Sequence, residues 1–231
     1  LGFYFSNDYP KPKTSPNYPE MYDEYIGEKP TYLGKTNGVQ LDEFYNTVVT
    51  ANYEIAQQFA FDVAAQIKNS EQGTVTITID SSCSAPQTVE YNKSLSARRI
   101  ESVIKFFAEN PATKKYIQEQ RLSVVAGNGF GEIAQSTPLV SKTTTAPYEF
   151  SPGETVNCSD ENGEASGGDT QVGAKDIFTT PAMSCRRAYI SQITSNLEQP
   201  EPILPPKRTT VVTGNVVTTT ETQTTVEDVA V

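Results

Sequence analysis

Between residues 41 and 68 the apolar positions recur at steps of three and four. Leu41, Phe44, Tyr45 and Val48 are followed, after one skipped turn, by Ile55, Phe59, Val63 and Ile67. That spacing predicts an amphipathic helix with one broad buried face, ended by Asn69 and Gly73. The period then changes: Val75, Ile77 and Ile79 alternate with Thr74, Thr76 and Thr78, as in a half-buried strand. A second helical pattern follows over about 92–109, with Leu95, Ile100, Val103, Ile104 and Phe107 inward and Asn110-Pro111 as its stop. A chain that passes from helix to strand to helix buries both kinds of apolar face most simply when its strands share a sheet and its helices cross over it.

The remaining segments fit around that frame. Residues 2–6, Gly-Phe-Tyr-Phe-Ser, read as an aromatic strand ended by Asn7, Asp8 and Pro10. Residues 10–38 read as an irregular surface excursion with one helical turn around Met21–Tyr25. Its tyrosines (Tyr18, Tyr22, Tyr25, Tyr32), with Tyr91, either line a sugar or protein surface or pack the loop down. Asp80–Pro86 reads as a polar loop. A short helix at about 112–119 leads to a strand at 121–126 and a turn at Gly127, Gly129 and Gly131. An irregular insertion occupies 134–182, and a last strand runs over 186–193. The order strand, helix, strand, helix, strand, strand predicts a small α/β sandwich. Its sheet is mixed, its helices pack on that sheet, and it carries long insertions at about 10–38 and 134–182.

Residues 1–197 form the expected domain. The composition changes at 198–231, where Pro200, Pro202, Pro205 and Pro206 make a stiff linker and Thr and Val fill the tail. Two β-prone runs flank Gly214-Asn215. They suit a hairpin, a strand added to a partner's sheet edge, or a disordered tail.

Charge and residue content exclude several functions. The chain has 28 acidic and 18 basic residues, a net charge of −10, and no Lys/Arg run. Nucleic acid and anionic membrane surfaces are therefore poor partners. No apolar run is long enough to span a bilayer. Leu1 opens directly into a strand pattern, as in an exported protein freed of its leader or in a trimmed chain. Histidine is absent. This removes the commonest general base, the His-activated nucleophiles and most zinc sites, so the chain reads as non-catalytic, with no cofactor and no metal. Of the three cysteines, Cys83, Cys158 and Cys185, none forms a CxxC pair. In an oxidising compartment one disulfide and one odd thiol are expected. A Cys158–Cys185 bond would close the polar 134–182 loop, contributing about 3–4 kcal/mol in a chain-entropy model. Three reduced, buried cysteines in a cytosolic protein are the alternative.

The stretch Glu90–Val103, EYNKSLSARRIESV, resembles the second-helix signature of OmpA-like domains, roughly YNxxLSxxRAxxV. Tyr91, Asn92, Leu95, Ser96, Arg99 and Val103 are in register. The opening FYFSNDYP resembles the family's first strand and its Asn/Asp turn. RLSVVAGNGFGE resembles the third strand and a G-Y-G-E turn at Gly129–Glu132, and CRRAYI resembles the closing N-R-R-V-E-I strand. The resemblance implies a βαβαββ-type OmpA-like sandwich. It also implies a non-catalytic function: tethering an outer-membrane protein or assembly to peptidoglycan, in the periplasm or at the outer membrane. In the family an Asp after the second strand and an Arg on the second helix hold the charged ends of a diaminopimelate residue. A zwitterionic ligand end needs one anion and one cation at fixed separation, and Arg suits a carboxylate.

Arg99 matches the family Arg, but the Asp falls on Ser84. Asp80 stands in for it only if the loop is longer, and Cys185 replaces the closing Asn. Arg99, Asp80, Ser84, Asn92 and Arg186 are therefore the candidate ligand-binding residues implied by the resemblance. Each also has a structural reading: ion pairs for Arg99, Arg186 and Arg187, a turn for Asp80, and a helix-start cap for Asn92. The missing Asp points to an alternative function: a structural subunit of a secretion, motility or fibre assembly. Such a subunit would keep the fold, lose the wall, and meet other envelope proteins through 134–182 and 209–231.

Overall fold

The computed structural model describes residues 1–35, 38–84, 88–129, 137–138, 155–156, 178, 180–198, 207–213 and 216–222. They fall in two compact units, Leu1–Leu197 and Glu198–Val231. The first unit is mixed α/β. Its strands are β1 (Gly2–Tyr4), β2 (Val75–Ser82), β3 (Leu122–Gly129), the short pair β4 (Thr137–Pro138) and β5 (Thr155–Val156), and β6 (Arg187–Ser195). Four of these make the central sheet, in the order β1-β6-β2-β3. β6 is antiparallel to both β1 and β2, and β2 is parallel to β3. β1 and β2 therefore run the same way and end at the same edge of the sheet.

The helices are α1 (Tyr18–Leu33), α2 (Gly38–Phe44), α3 (Ala51–Asn69), α4 (Val89–Glu109), α5 (Lys114–Gln118) and α6 (Thr180–Cys185). The parallel β2/β3 pair needs a crossover, which α4 and α5 supply. The main core joins Phe3 and Phe5 of the first strand segment to Phe59, Val63 and Ile67 of α3. Val75, Ile77 and Ile79 of β2 and Val103, Phe106 and Phe107 of α4 complete it. A second cluster gathers Tyr4, Tyr25, Tyr32, Leu41, Phe44, Tyr45 and Met183.

Several expectations are corrected. The excursion over 10–38 contains a 16-residue helix, α1. Its buried residues, Tyr18, Met21, Tyr25 and Tyr32, lie at helical spacing, so the tyrosines form an apolar stripe instead of packing a loop. Asn17 caps the helix by accepting the Glu20 N–H, and Pro19 sits in the first turn, where its missing N–H costs nothing. Pro30, which argues against a helix on sequence, falls in the last turn before Gly34.

The skipped turn between Val48 and Ile55 is a π-helical segment, Tyr45–Thr50, joining α2 to α3. Its extra residue rotates the buried face onto Val49, Asn52 and Ala56, and Ile55 is only half-buried. The buried Asn52 amide donates to the Val48 carbonyl (2.9 Å) and accepts the Gly2 N–H (3.0 Å), tying the helix to β1.

Two strands run longer than expected. β2 continues through Asp80–Ser82, read from sequence as loop, and β3 continues through Gly127 and Gly129, read as turn. Ile79 pairs with Ala126 and Ser81 with Gly129, so Gly127 and Asn128 together oppose Asp80 in a β-bulge. α6 ends the segment read as irregular; the remainder of 134–182, apart from β4, β5 and residues 178 and 180–182, lies outside the described residues.

In the second unit β7 (Lys207–Thr213) and β8 (Val216–Thr222) form an antiparallel hairpin, with Thr213 paired to Val216. Among the described residues no helix is long and apolar enough to cross a membrane.

Candidate functional site

Helix α4 presents a buried stripe whose character changes along its length. Toward its C-terminus the stripe is apolar (Ile100, Val103, Phe106, Phe107). Toward its N-terminus it is polar, with Asn92, Ser96 and Arg99 all at most 1% exposed. That polar half passes over the common edge where β1 and β2 end. Crevices at the carboxyl ends of strands are where open α/β sheets hold ligands. A pocket lies there, lined by Asn7, Asp8, Cys83, Ser84, Asn92, Leu95 and Arg99. It is small, about 10 Å³, the room of roughly one water.

Arg99 organises the pocket wall. Nε donates to the Tyr9 carbonyl (3.0 Å) and Nη1 to the Ser82 carbonyl (2.9 Å). Nη1 also reaches Cys83 Sγ (3.3 Å), and Nη2 reaches the Ser6 carbonyl (3.4 Å). The guanidinium lies 5.3 Å from the centre of the Phe5 ring. Four of its five N–H groups are thus engaged. Among the described residues no carboxylate lies within ion-pair distance of it. Burial lowers its pKa from the usual arginine value; Cys83 opposes this shift and the charge of Arg186 adds to it. Among the described residues, this buried cation is met by carbonyl dipoles, a thiol and the face of Phe5.

Asp8 supplies the negative group of the same pocket. It follows β1 at a positive φ of 61°, a conformation that Asp tolerates better than most residues. Its carboxylate accepts from Lys11 Nζ (2.9 Å) and from the Tyr91 hydroxyl. Partial burial alone would raise its pKa, but the bonds from Tyr91 and Lys11 outweigh that, so the carboxyl sits below its ordinary value.

Of the residues singled out by sequence, Arg99, Ser84 and Asn92 line this pocket together. Asn92 is not the helix cap; Thr88 is, accepting the Tyr91 N–H (3.3 Å). Asp80 is not among the lining residues. Its Oδ1 accepts the Asn128 N–H (2.7 Å), so its carboxylate holds the bulge in β3. A Cβ on Gly127 would come within 2.1 Å of that oxygen, which explains the glycine.

Arg186 is fully buried in the tyrosine cluster, 5.7 Å from the Tyr32 ring centre, and donates from Nη1 to Asn7 Oδ1 (3.4 Å). Through Asn7 it is bonded to the pocket lining. Arg187 is buried and donates to the Tyr4 hydroxyl (3.4 Å). Cys185 is disulfide-bonded and Cys83 is a free, buried thiol. Cys158, the remaining cysteine of the chain, lies outside the described residues. Asn7, Asp8 and Cys83 were not read as site residues from sequence. The signal for the first two was the Asn/Asp turn after an aromatic strand.

The pocket offers one cation, one anion and neutral hydrogen-bonding groups, a set suited to holding a zwitterion. Among the described residues no group of Cys, Asp and Glu converges as a metal site. No family model matches the chain, and neither a curated protein nor a solved structure matches it.

Proposed function

We propose that this chain is a non-catalytic, OmpA-like module of the cell envelope that tethers an outer-membrane protein or assembly to peptidoglycan. The observation that carries the reading is one pocket, at the motif positions of α4, lined both by a buried Arg99, which has no carboxylate in ion-pair distance among the described residues, and by Asp8. In this proposal Arg99 takes the carboxylate of a diaminopimelate-bearing peptide stem and Asp8 takes its ammonium. The anionic role thereby moves from the loop after β2, where Ser84 stands, to the loop after β1. The path β1, α3, β2, α4, β3, β6 supports the OmpA-like sandwich as the finer description of the fold. The disulfide at Cys185 supports a periplasmic setting, since such bonds persist in oxidising compartments.

The pocket must open to admit a stem. The longest of the Arg99 hydrogen bonds is the 3.4 Å bond to Ser6. A carboxylate that displaces the Ser6 carbonyl gains both Nη2 hydrogens and a charge-assisted contact. The test is titration of the full chain with a soluble, diaminopimelate-containing muropeptide, followed by amide NMR. Shifts concentrated at Asn7, Asp8, Ser84 and Asn92 support the reading; an unperturbed spectrum at millimolar ligand rejects it.

The pocket's size favours a second reading. A cavity of about 10 Å³ with Arg99 spanning three backbone carbonyls also suits a clamp that only fixes loops. In that case the chain is a structural subunit of an envelope complex that has lost the wall, and the same titration gives no shifts.

A further inference from the structure

We propose that the β7–β8 hairpin is a self-coupling element, pairing edge to edge with the hairpin of a second copy of this chain. Among the described residues β7 and β8 pair with each other and with no third strand. A lone two-stranded hairpin is marginal in water, and it leaves a row of unpaired N–H and C=O groups along each outer edge. Proteins that keep such edges single protect them with charges, prolines or bulges. Here residues 209–213 and 216–220 are Thr and Val throughout, with no charge and no proline. That composition is strongly β-forming.

The register says what fits. Arg208 pairs with Glu221 and Val212 with Val217. A second hairpin added antiparallel, its β8 against the first copy's β7, repeats those same pairs between copies. The basic end of one edge meets the acidic end of the other, and the Thr/Val centre continues unbroken. The other sheet edges offer less. β1 is only three residues long, and β3 carries the bulge at Gly127-Asn128, which twists an edge away from pairing.

Sedimentation velocity decides the matter, applied to the full chain, to a chain ending at Leu197, and to the variants Arg208→Glu and Glu221→Arg. The full chain is expected to exceed its monomer mass of 25.3 kDa increasingly with concentration, and the shortened chain to remain monomeric. Each charge variant places like charges opposite one another and is expected to lose assembly by itself. An equimolar mixture of the two restores opposite charges only between copies, so it should assemble again. A full chain that stays monomeric, assembly that survives removal of 198–231, or a mixture that stays apart overturns the proposal.

Discussion

The Sγ of Cys83 lies 3.3 Å from Nη1 of Arg99, so a thiol and a guanidinium share the wall of one pocket. The thiol is 1% exposed, bonds to the Asn92 carbonyl and touches the Ser96 hydroxyl. Native protein should therefore react slowly with an aromatic disulfide reagent. Denatured, unreduced protein should release one thiol per chain, because Cys185 is already bonded. Three reactive thiols would remove the disulfide and the periplasmic setting inferred from it.

Removing the Arg99 side chain takes the guanidinium donors from the Tyr9 and Ser82 carbonyls and leaves the Ser6 carbonyl with the Tyr9 N–H (3.4 Å). Hydrogen bonds from charged groups contribute more than neutral ones, and Arg99→Ala is expected to cost about 2–4 kcal/mol in urea unfolding. Arg99→Lys keeps the charge but cannot span three acceptors shared between the loop after β1 and the end of β2, and should recover under half of that loss. Equal stability of the alanine variant and the parent would mean that the clamp is not structural.

Asp80 and Gly127 test the division between fold and site. Gly127→Ala forces a Cβ against Asp80 Oδ1 and, at 2.8 Å, against Thr78 Cγ2, and is expected to destabilise by about 1–3 kcal/mol. Asp80→Asn retains an acceptor for Asn128 and should be mild. Neither change should alter ligand affinity once the protein is folded. A specific loss of binding in Asp80→Asn would return Asp80 to the ligand.

The contrast between Asp80 and Asp8 shows what was legible beforehand. The period-two run at 74–79, the helical stripe of α4 and the register of Arg99 are local patterns, and each could be read along the chain. The place of Asp8 could not be read that way, because Asp8 and Arg99 come to line one pocket only when β1 and β2 end at the same sheet edge. Asp80 is the carboxylate nearest in sequence to Ser84, where the family spacing falls, but its Oδ1 accepts the Asn128 N–H in the bulge. Helix α1 was obscured by a different effect. Its stripe is made of tyrosines and interrupted by prolines, which local propensity counts against a helix although burial of the rings outweighs it.

Acidification should report on Asp8. Its folded pKa lies below the ordinary value of 3.8, so its ionised form stabilises the native state. That contribution is complete above the unfolded pKa and is lost as the pH falls through the folded one. Asp8→Asn should therefore lower Tm at neutral pH, and the gap to the parent should narrow as the pH falls below 3.8 and the carboxylate is protonated. A gap that is constant with pH would show that the carboxylate charge plays no part.

The most direct test of the account is co-sedimentation with insoluble peptidoglycan, comparing the parent with Arg99→Ala, Asp8→Asn and Asp80→Asn, each checked for its fold by circular dichroism. The expected result is a parent that pellets with the wall, both pocket variants left in the supernatant, and Asp80→Asn pelleting like the parent. A folded parent that stays in the supernatant would contradict the tether and leave the chain as an assembly subunit whose Arg99 only clamps its loops.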